Sequence, residues 1–455
     1  MGCAQHKAVE SAPPEKVVVA ADPPPSTLSN DMPDPPTKPQ ATAEPKDTGN
    51  KADVVLNTDT SVAEMETRAS SQMDGGSIED PFAKVEAIVE DALKDVAESL
   101  AQDDWFVAER VLMDAIELLQ EEGEIGEKGI ERLKQSESFK RVLKALREYE
   151  EVTAAALGTG GSDAGPEWKL AAEVPLDYKA LKMILSAEAE AALPKEDRVI
   201  TFYWRQLPDG GAQVRASAAL PVEPANAQGK NTLMAWLALV LENELASTWH
   251  PIVVGNGPKL IEPRTKWRTI WMNLQKLLFF KQAIIEELHH FANEDTGVIV
   301  TRAVQHPDNA ENKALWEKNP PAKGYTKSPD CFNITVVCVP QQHTCYFNGC
   351  IHLTFKSPPP GFLLKVLATW LFPEMIRRML KATMSCLAQD GPYHPLLTED
   401  KFGCYALTKK MVQTGAEADK AGAHEGKILG PRVAPKASVV TNRAKSLTKF
   451  ADGAR

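Results

Sequence analysis

Between residues 199 and 356 the sequence lays down a series of short strand-like runs. Near Gly361 it turns into one long apolar helical run, FLLKVLATWLFPEMIRRMLKATMSCLAQDG. A sheet that ends in a single helix has a face to cover and a space to enclose. Within that run Ile376, Leu380, Thr383 and Leu387 recur at helical spacing, and Pro373 suits a first turn or a kink. The strands begin with a hairpin. Residues 199–204 run to Pro208-Asp209-Gly210-Gly211 and return over 213–222 with Val214, Ala216, Ala218 and Leu220 on one face. Residues 231–248 read as a capped helix with a stripe of Met234, Leu237, Leu241 and Leu245. Further strands are expected at 266–272, 282–291, 297–304, 332–339 and 343–356. Short turns such as 293–297 favour antiparallel order, which is incompatible with a parallel Rossmann arrangement. The pattern predicts an α+β fold better suited to holding an apolar molecule than to bond chemistry.

Ahead of this region the chain changes character twice. Residues 1–79 are rich in Pro, Ala, Asp, Thr and Lys, with few groups to bury, and are expected to stay disordered. They open Met1-Gly2-Cys3, where loss of Met1 would offer Gly2 for myristoylation beside a Cys3 thiol for palmitoylation. His6 stands where the usual pattern has Ser or Thr. One acyl chain anchors a protein only marginally and two anchor it stably, so the pairing matters physically. Residues 80–157 then read as an α-helical hairpin or bundle. Asp80-Pro81 caps a first helix, Trp105 to Leu119 form a second and 139–152 a third, with EEGEIGEKG as a connection. The expected role of this module is packing or docking, with a protein partner as one use. The glycines of 158–165 make a linker and not a phosphate loop, since no Lys-Ser or Lys-Thr follows them. Residues 416–455 are expected to form a disordered tail, basic toward its end.

Composition narrows the function classes. A formal net charge of -11 disfavours wholesale nucleic-acid binding, so no nucleic-acid partner is expected. No run approaches the roughly 18 apolar residues of a membrane span, and the start lacks the apolar stretch of a secretory signal. The expected location is cytoplasmic, peripheral to a membrane through the lipidated N-terminus. Cys331, Cys338, Cys345 and Cys350 lie among apolar strand residues without Cys-x-x-Cys or metal-type His spacing. They read as reduced, buried thiols with no metal and no cofactor. A nucleophile elbow, an HExxH pattern and a phosphate loop are all missing from the sequence, so catalysis is not expected.

From about Trp168 to Leu407 the residues resemble the steroidogenic acute regulatory-related lipid-transfer (START) domain. The likeness rests on Trp168-Lys169-Leu170, the hairpin, and the helical segment from Leu233 running into Ser247-Thr248-Trp249-His250-Pro251. It also rests on the closing Trp370-Leu371-Phe372-Pro373-Glu374-Met375-Ile376. Where many members carry an Arg-Asp pair opening a central strand, this chain reads Leu277-Leu278-Phe279-Phe280-Lys281-Gln282-Ala283. The resemblance implies a helix-grip domain over residues 166–415, with a curved antiparallel sheet over a long C-terminal helix and one lipid in the tunnel between them. The lipid, whether sterol, phospholipid or sphingolipid, would be shielded or transferred at a membrane surface. The expected lipid-contacting residues are Trp249, His250, Arg268, Glu286, Arg302 and Trp370. His289 and His352 are further polar strand candidates. Strand alternation sends His289 and His290 to opposite faces, and likewise Glu286 and Glu287. The alternative is a membrane-tethered scaffold of the same fold that transfers no lipid.

Overall fold

The computed structural model describes residues 80–157, 168–175, 198–221, 230–254, 258–277, 280–340, 344–356, 365–388, 391–420 and 446–453. The expected tether 1–79 with Gly2 and Cys3 and the linker 158–165 lie outside these residues, as does the stretch from Tyr178 to Ala191, which the sequence predicts to be helical. Four helices come first: α1 (Pro81–Ala101), α2 (Trp105–Glu121), α3 (Gly123–Gln135) and α4 (Glu137–Leu157). The Asp80 carboxylate accepts the Phe82 N–H at 3.0 Å, satisfying one of the free donors that open any helix. Val85, Val89, Ala92, Val96 and Leu100 then form the buried face of α1.

The EEGEIGEKG segment is a correction, because it is helical and forms much of α3. Its glycines are there for close approach. A Cβ on Gly126 would run into the Leu119 carbonyl, and one on Gly129 would come within 2.9 Å of Val85 Cγ1. Packing against α1 and α2 therefore outweighs the poor helix propensity of glycine.

A single sheet of ten strands follows: β1 (Lys169–Pro175), β2 (Val199–Gln206), β3 (Ala212–Pro221), β4 (Lys259–Leu260), β5 (Arg268–Leu277), β6 (Phe280–Asn293), β7 (Val298–His306), β8 (Thr326–Lys327), β9 (Cys331–Pro340) and β10 (Thr344–Thr354). Their order is β1-β2-β3-β10-β9-β7-β6-β5-β4, antiparallel throughout except that β8 pairs parallel with β6. Helix α5 (Thr232–Leu241) is apolar on every side and buried on every side but one, as a helix between other layers must be. Asn231 caps it by accepting the Met234 N–H at 2.7 Å.

After the sheet come α7 (Phe372–Leu387), α8 (His394–Glu399) and α9 (Cys404–Lys420), following the short α6 (Lys313–Lys318) within the sheet region. Helices α8 and α9 lie beyond the closing helix expected from sequence, which is present and runs through Leu367–Leu371 into α7. Its first turns, Leu367–Leu371, are π-helical. Pro373 stands in the first turn of α7, where its missing N–H costs least, and the wider turn ahead of it accommodates the ring. The α+β helix-grip arrangement is present, with α5, α7 and α9 in one apolar cluster with the sheet.

The four N-terminal helices share a second cluster with the opposite sheet face, through Phe291, Val298, Val300, Val337, Val339 and Cys350. Phe106 meets Tyr149 edge-on at 5.0 Å, and Tyr149 lies 5.7 Å from Phe291. Fully burying side chains of this size stabilises by roughly 1.5–3 kcal/mol each, so this layer is an integral part of the core. The expectation of a disordered tail over 416–455 is corrected at both ends. Helix α9 continues to Lys420, and residues 447–451 form a further short helix, α10 (Leu447–Ala451), with Leu447 fully buried. An amphipathic fragment that gains its order from a docking site carries too little apolar periodicity of its own to be seen in the sequence.

Candidate functional site

Strand alternation decides which residues face α7. On β5 the inward positions include Trp271, Asn273 and Gln275, on β6 Glu286 and Leu288, and on β7 Thr301 and Ala303. Between these strands, α5 and α7 lies a cavity of about 290 Å³. Its wall is mostly apolar, with Trp236, Ile334, Ile351, Leu371, Phe372 and Met379 among its residues. Trp236 meets Phe347 at 5.2 Å, which fixes the α5 side of the wall.

Polar groups of the wall stand on β5, β6 and β7, with Asn243 and His250 beyond the C-terminal end of α5. Asn273 Nδ2 donates to Glu286 Oε2 at 2.6 Å. Asn273 is 2% exposed and its Oδ1 has no protein partner. The surface that Glu286 keeps faces the cavity. Burial pushes its carboxyl up to about 7, opposed in part by the Asn273 hydrogen bond. Glu286 is therefore divided between its neutral and charged forms near neutral pH. His250, its ring tilted against Trp249 at 5.3 Å, stays neutral because burial, with the nearby Arg378 cation adding to it, pushes its pKa down to about 4. Among the described residues Glu286 and His250 are the titratable side chains of this wall. No group of His, Cys, Asp or Glu among the described residues is placed to hold a metal ion.

Of the six residues expected from sequence, the structure brings Trp249, His250 and Glu286 to the cavity. The other three lie elsewhere. Arg268 projects from the opposite face of β5 and pairs with Glu287 and Glu262. Arg302 lies on the opposite face of β7 and pairs with Glu148 of α4. Both are sent outward by the same alternation that turns Asn273 and Thr301 inward. Trp370 is 60% exposed and lines no part of the cavity. His289 is also outward, bonded to Glu287 at 2.7 Å, while His290 is buried against Thr301. Sequence reasoning missed Asn273 and Thr301. The usable signal was alternation combined with strand pairing, since Asn273 becomes a neighbour of Glu286 only once Trp271 is known to stand opposite Glu286.

Beside α7 an open groove of about 840 Å³ is lined by Thr248, Arg377, Arg378 and Lys381, and shares Trp249 with the cavity. Trp249 therefore stands between the cavity and the groove. Cys338 and Cys345 are fully buried and Cys350 nearly so. Burial raises all three thiols, which keeps them protonated and unreactive.

The fold and cavity together define an α+β protein with a mostly apolar site between its sheet and α7. Among solved structures, the chain is similar to a STAR-related lipid transfer protein fragment from Xanthomonas axonopodis, at 16% identity over 49% of this chain and 99% of that one, with a TM-score of 0.33. It is also similar to the lipid transfer and protein localization domain of human StarD13, at 9% identity over 52% and 95%, TM-score 0.32. A third is a Thalictrum norcoclaurine synthase, at 11% identity over 39% and 95%, TM-score 0.25. No family model matches the chain, and no curated protein matches it.

Proposed function

We propose that this protein binds a single lipid in the cavity between the sheet and α7, and shields or transfers it at a membrane surface without covalent chemistry. The observation that carries this reading is a mostly apolar space between sheet and helix with few polar groups, the hydrogen-bonded pair Asn273 and Glu286 among them. Apolar chain transferred into such a space gains roughly 0.8 kcal/mol per methylene. A hydroxyl or amide N–H on the lipid would meet the Glu286 carboxyl, which lines the cavity. A cavity of about 290 Å³ is at the lower end of the roughly 300–1,000 Å³ usual for ligand sites. That size favours a compact or single-chain lipid over one with two long chains, unless α7 moves.

The surface beside α7 supports the membrane part of the proposal. Trp370, Val366 and Leu170 are exposed large apolar side chains, and the π-helical turn carrying Trp370 lies against β1, which carries Leu170. Lys169 and Lys365 neighbour Leu170 and Val366 in sequence, and Arg377, Arg378 and Lys381 line the groove beside α7. Aromatic and basic groups together suit an anionic lipid surface. Acylation at Gly2 and Cys3 would hold the chain there, and among the described residues no helix is long and apolar enough to cross a membrane.

The test is native mass spectrometry with lipid extraction on the full chain after exposure to mixed liposomes. One unaltered lipid per chain is the expected result. An empty chain that still binds vesicles would replace this reading with a tethered scaffold, and a chemically altered lipid would replace it with an enzyme.

A further inference from the structure

The cavity between the sheet and α7 carries one acidic side chain and, among the described residues, no lysine or arginine. Glu286 is the acid. Strand pairing accounts for the missing counter-ion. Directly across from Glu286 stand Trp271 on β5 and Gln305 on β7, and its hydrogen-bond partner Asn273 is a diagonal neighbour on β5. All three are neutral. The arginines of β5 and β7 project from the other face, Arg268 to Glu287 and Arg302 to Glu148. Helix α7 gives the wall Phe372, Met375, Ile376 and Met379, while its Arg377, Arg378 and Lys381 line the groove instead.

A carboxylate in apolar surroundings with no cation beside it is costly to ionise, and the cost falls when a ligand brings the positive charge with it. The polar end of the ligand then decides how well it fits. A protonated amine offers three donors and a full positive charge, and leaves no acceptor unsatisfied. An alcohol offers one donor and no charge. A lipid ending in a carboxylate sets a second negative charge beside Glu286, so one of the two must take up a proton. The apolar remainder of the wall suits an alkyl chain in all three cases.

We propose that the ligand of this cavity is a cationic amphiphile, an apolar chain ending in a protonated amine, with the Glu286 carboxylate as its counter-ion. Long-chain amines and amino alcohols belong to this class, and free fatty acids are excluded from it. The proposal rests on the reading of the cavity as a lipid site and names the polar chemistry that the site selects.

The test is isothermal titration calorimetry of the full chain with octylamine, octanol and octanoate at pH 8. There Glu286 is largely ionised, and an alkylammonium, which titrates like lysine at about 10.4, keeps its proton. Octylamine should bind about tenfold tighter than octanol, because a charge-assisted hydrogen bond is about twice as strong as a neutral one, and octanoate should bind weakest. In Glu286→Gln the amine should fall to the level of the alcohol or below it. A second measurement needs no variant. At pH 6 Glu286 is mostly protonated, so octylamine should release about one proton on binding and octanol none, read as the difference in heat between buffers of unlike ionisation enthalpy. His250, the other titratable group of the wall, is neutral at this pH and adds nothing to the count. Octanol binding as tightly as octylamine, or octylamine binding without proton release, overturns this proposal and leaves the lipid reading standing. Failure of all three probes to bind overturns both.

Discussion

Replacing Glu286 by Gln tests the electrostatics of the cavity directly. Glutamine keeps the shape and can still accept from Asn273 Nδ2, but it does not ionise. In the wild-type chain burial raises the carboxyl from 4.5 to about 7. The folded chain therefore binds more protons than the unfolded chain between those two values. Stability falls as pH rises through that window and levels off above it. At about 1.4 kcal/mol per pH unit the full loss is about 3 kcal/mol, of which about 2.5 kcal/mol falls between pH 5 and pH 8. Denaturant titrations of both chains at these two pH values give the double difference, in which all other titrating groups cancel. The Gln chain should gain about 2.5 kcal/mol on the wild type in going from pH 5 to pH 8. A double difference below about 0.5 kcal/mol would mean that the carboxylate is solvated or paired when charged, and the description of its surroundings as apolar would fail.

Filling the cavity should empty it of lipid. Gly349 lines the wall, and a Cβ there meets nothing nearer than 3.8 Å, so Gly349→Leu should fold normally while lipid stoichiometry in native mass spectrometry falls severalfold. On the outer face, the Glu287 carboxylate hydrogen-bonds His306 and raises its pKa above the ordinary 6.5. The stability His306 contributes is present below 6.5 and lost as pH rises through its raised value. Glu287→Gln should bring its NMR titration midpoint down toward 6.5, and an unmoved midpoint would refute the pairing. Because Trp370 is exposed, Trp370→Ala should leave thermal unfolding unchanged and weaken sedimentation with anionic vesicles severalfold, and equal sedimentation would remove this face from the membrane proposal.

The parts of the fold that were legible in sequence are those governed by local periodicity. Helices α1, α2 and α4, the hairpin β2–β3, α5 and the antiparallel succession of β5, β6, β7, β9 and β10 all follow from spacing and turn chemistry. Alternation also sorted Glu286 from Glu287 before any pairing was known. Where the reading failed, a contact distant in sequence had prevailed over the local signal. The glycines of α3 look like a loop until Leu119 and Val85 are brought against them. The short helix at Leu447 looks like tail until Glu109 and the apolar cluster are in place.

The candidate site divides along the same line. The sequence by itself determined that a sheet would face an apolar helix, and that some polar strand residues would be enclosed between them. It could not choose which ones, because the choice depends on the phase of each strand relative to α7 and a shift of one residue exchanges the two faces. Tertiary structure made that choice. It sent Arg268 and Arg302 outward to Glu287 and Glu148, and brought Asn273 to Glu286. It also gave the N-terminal helices their place. Their amphipathic faces were written in the chain, but only pairing with the far side of the sheet decided what those faces would cover.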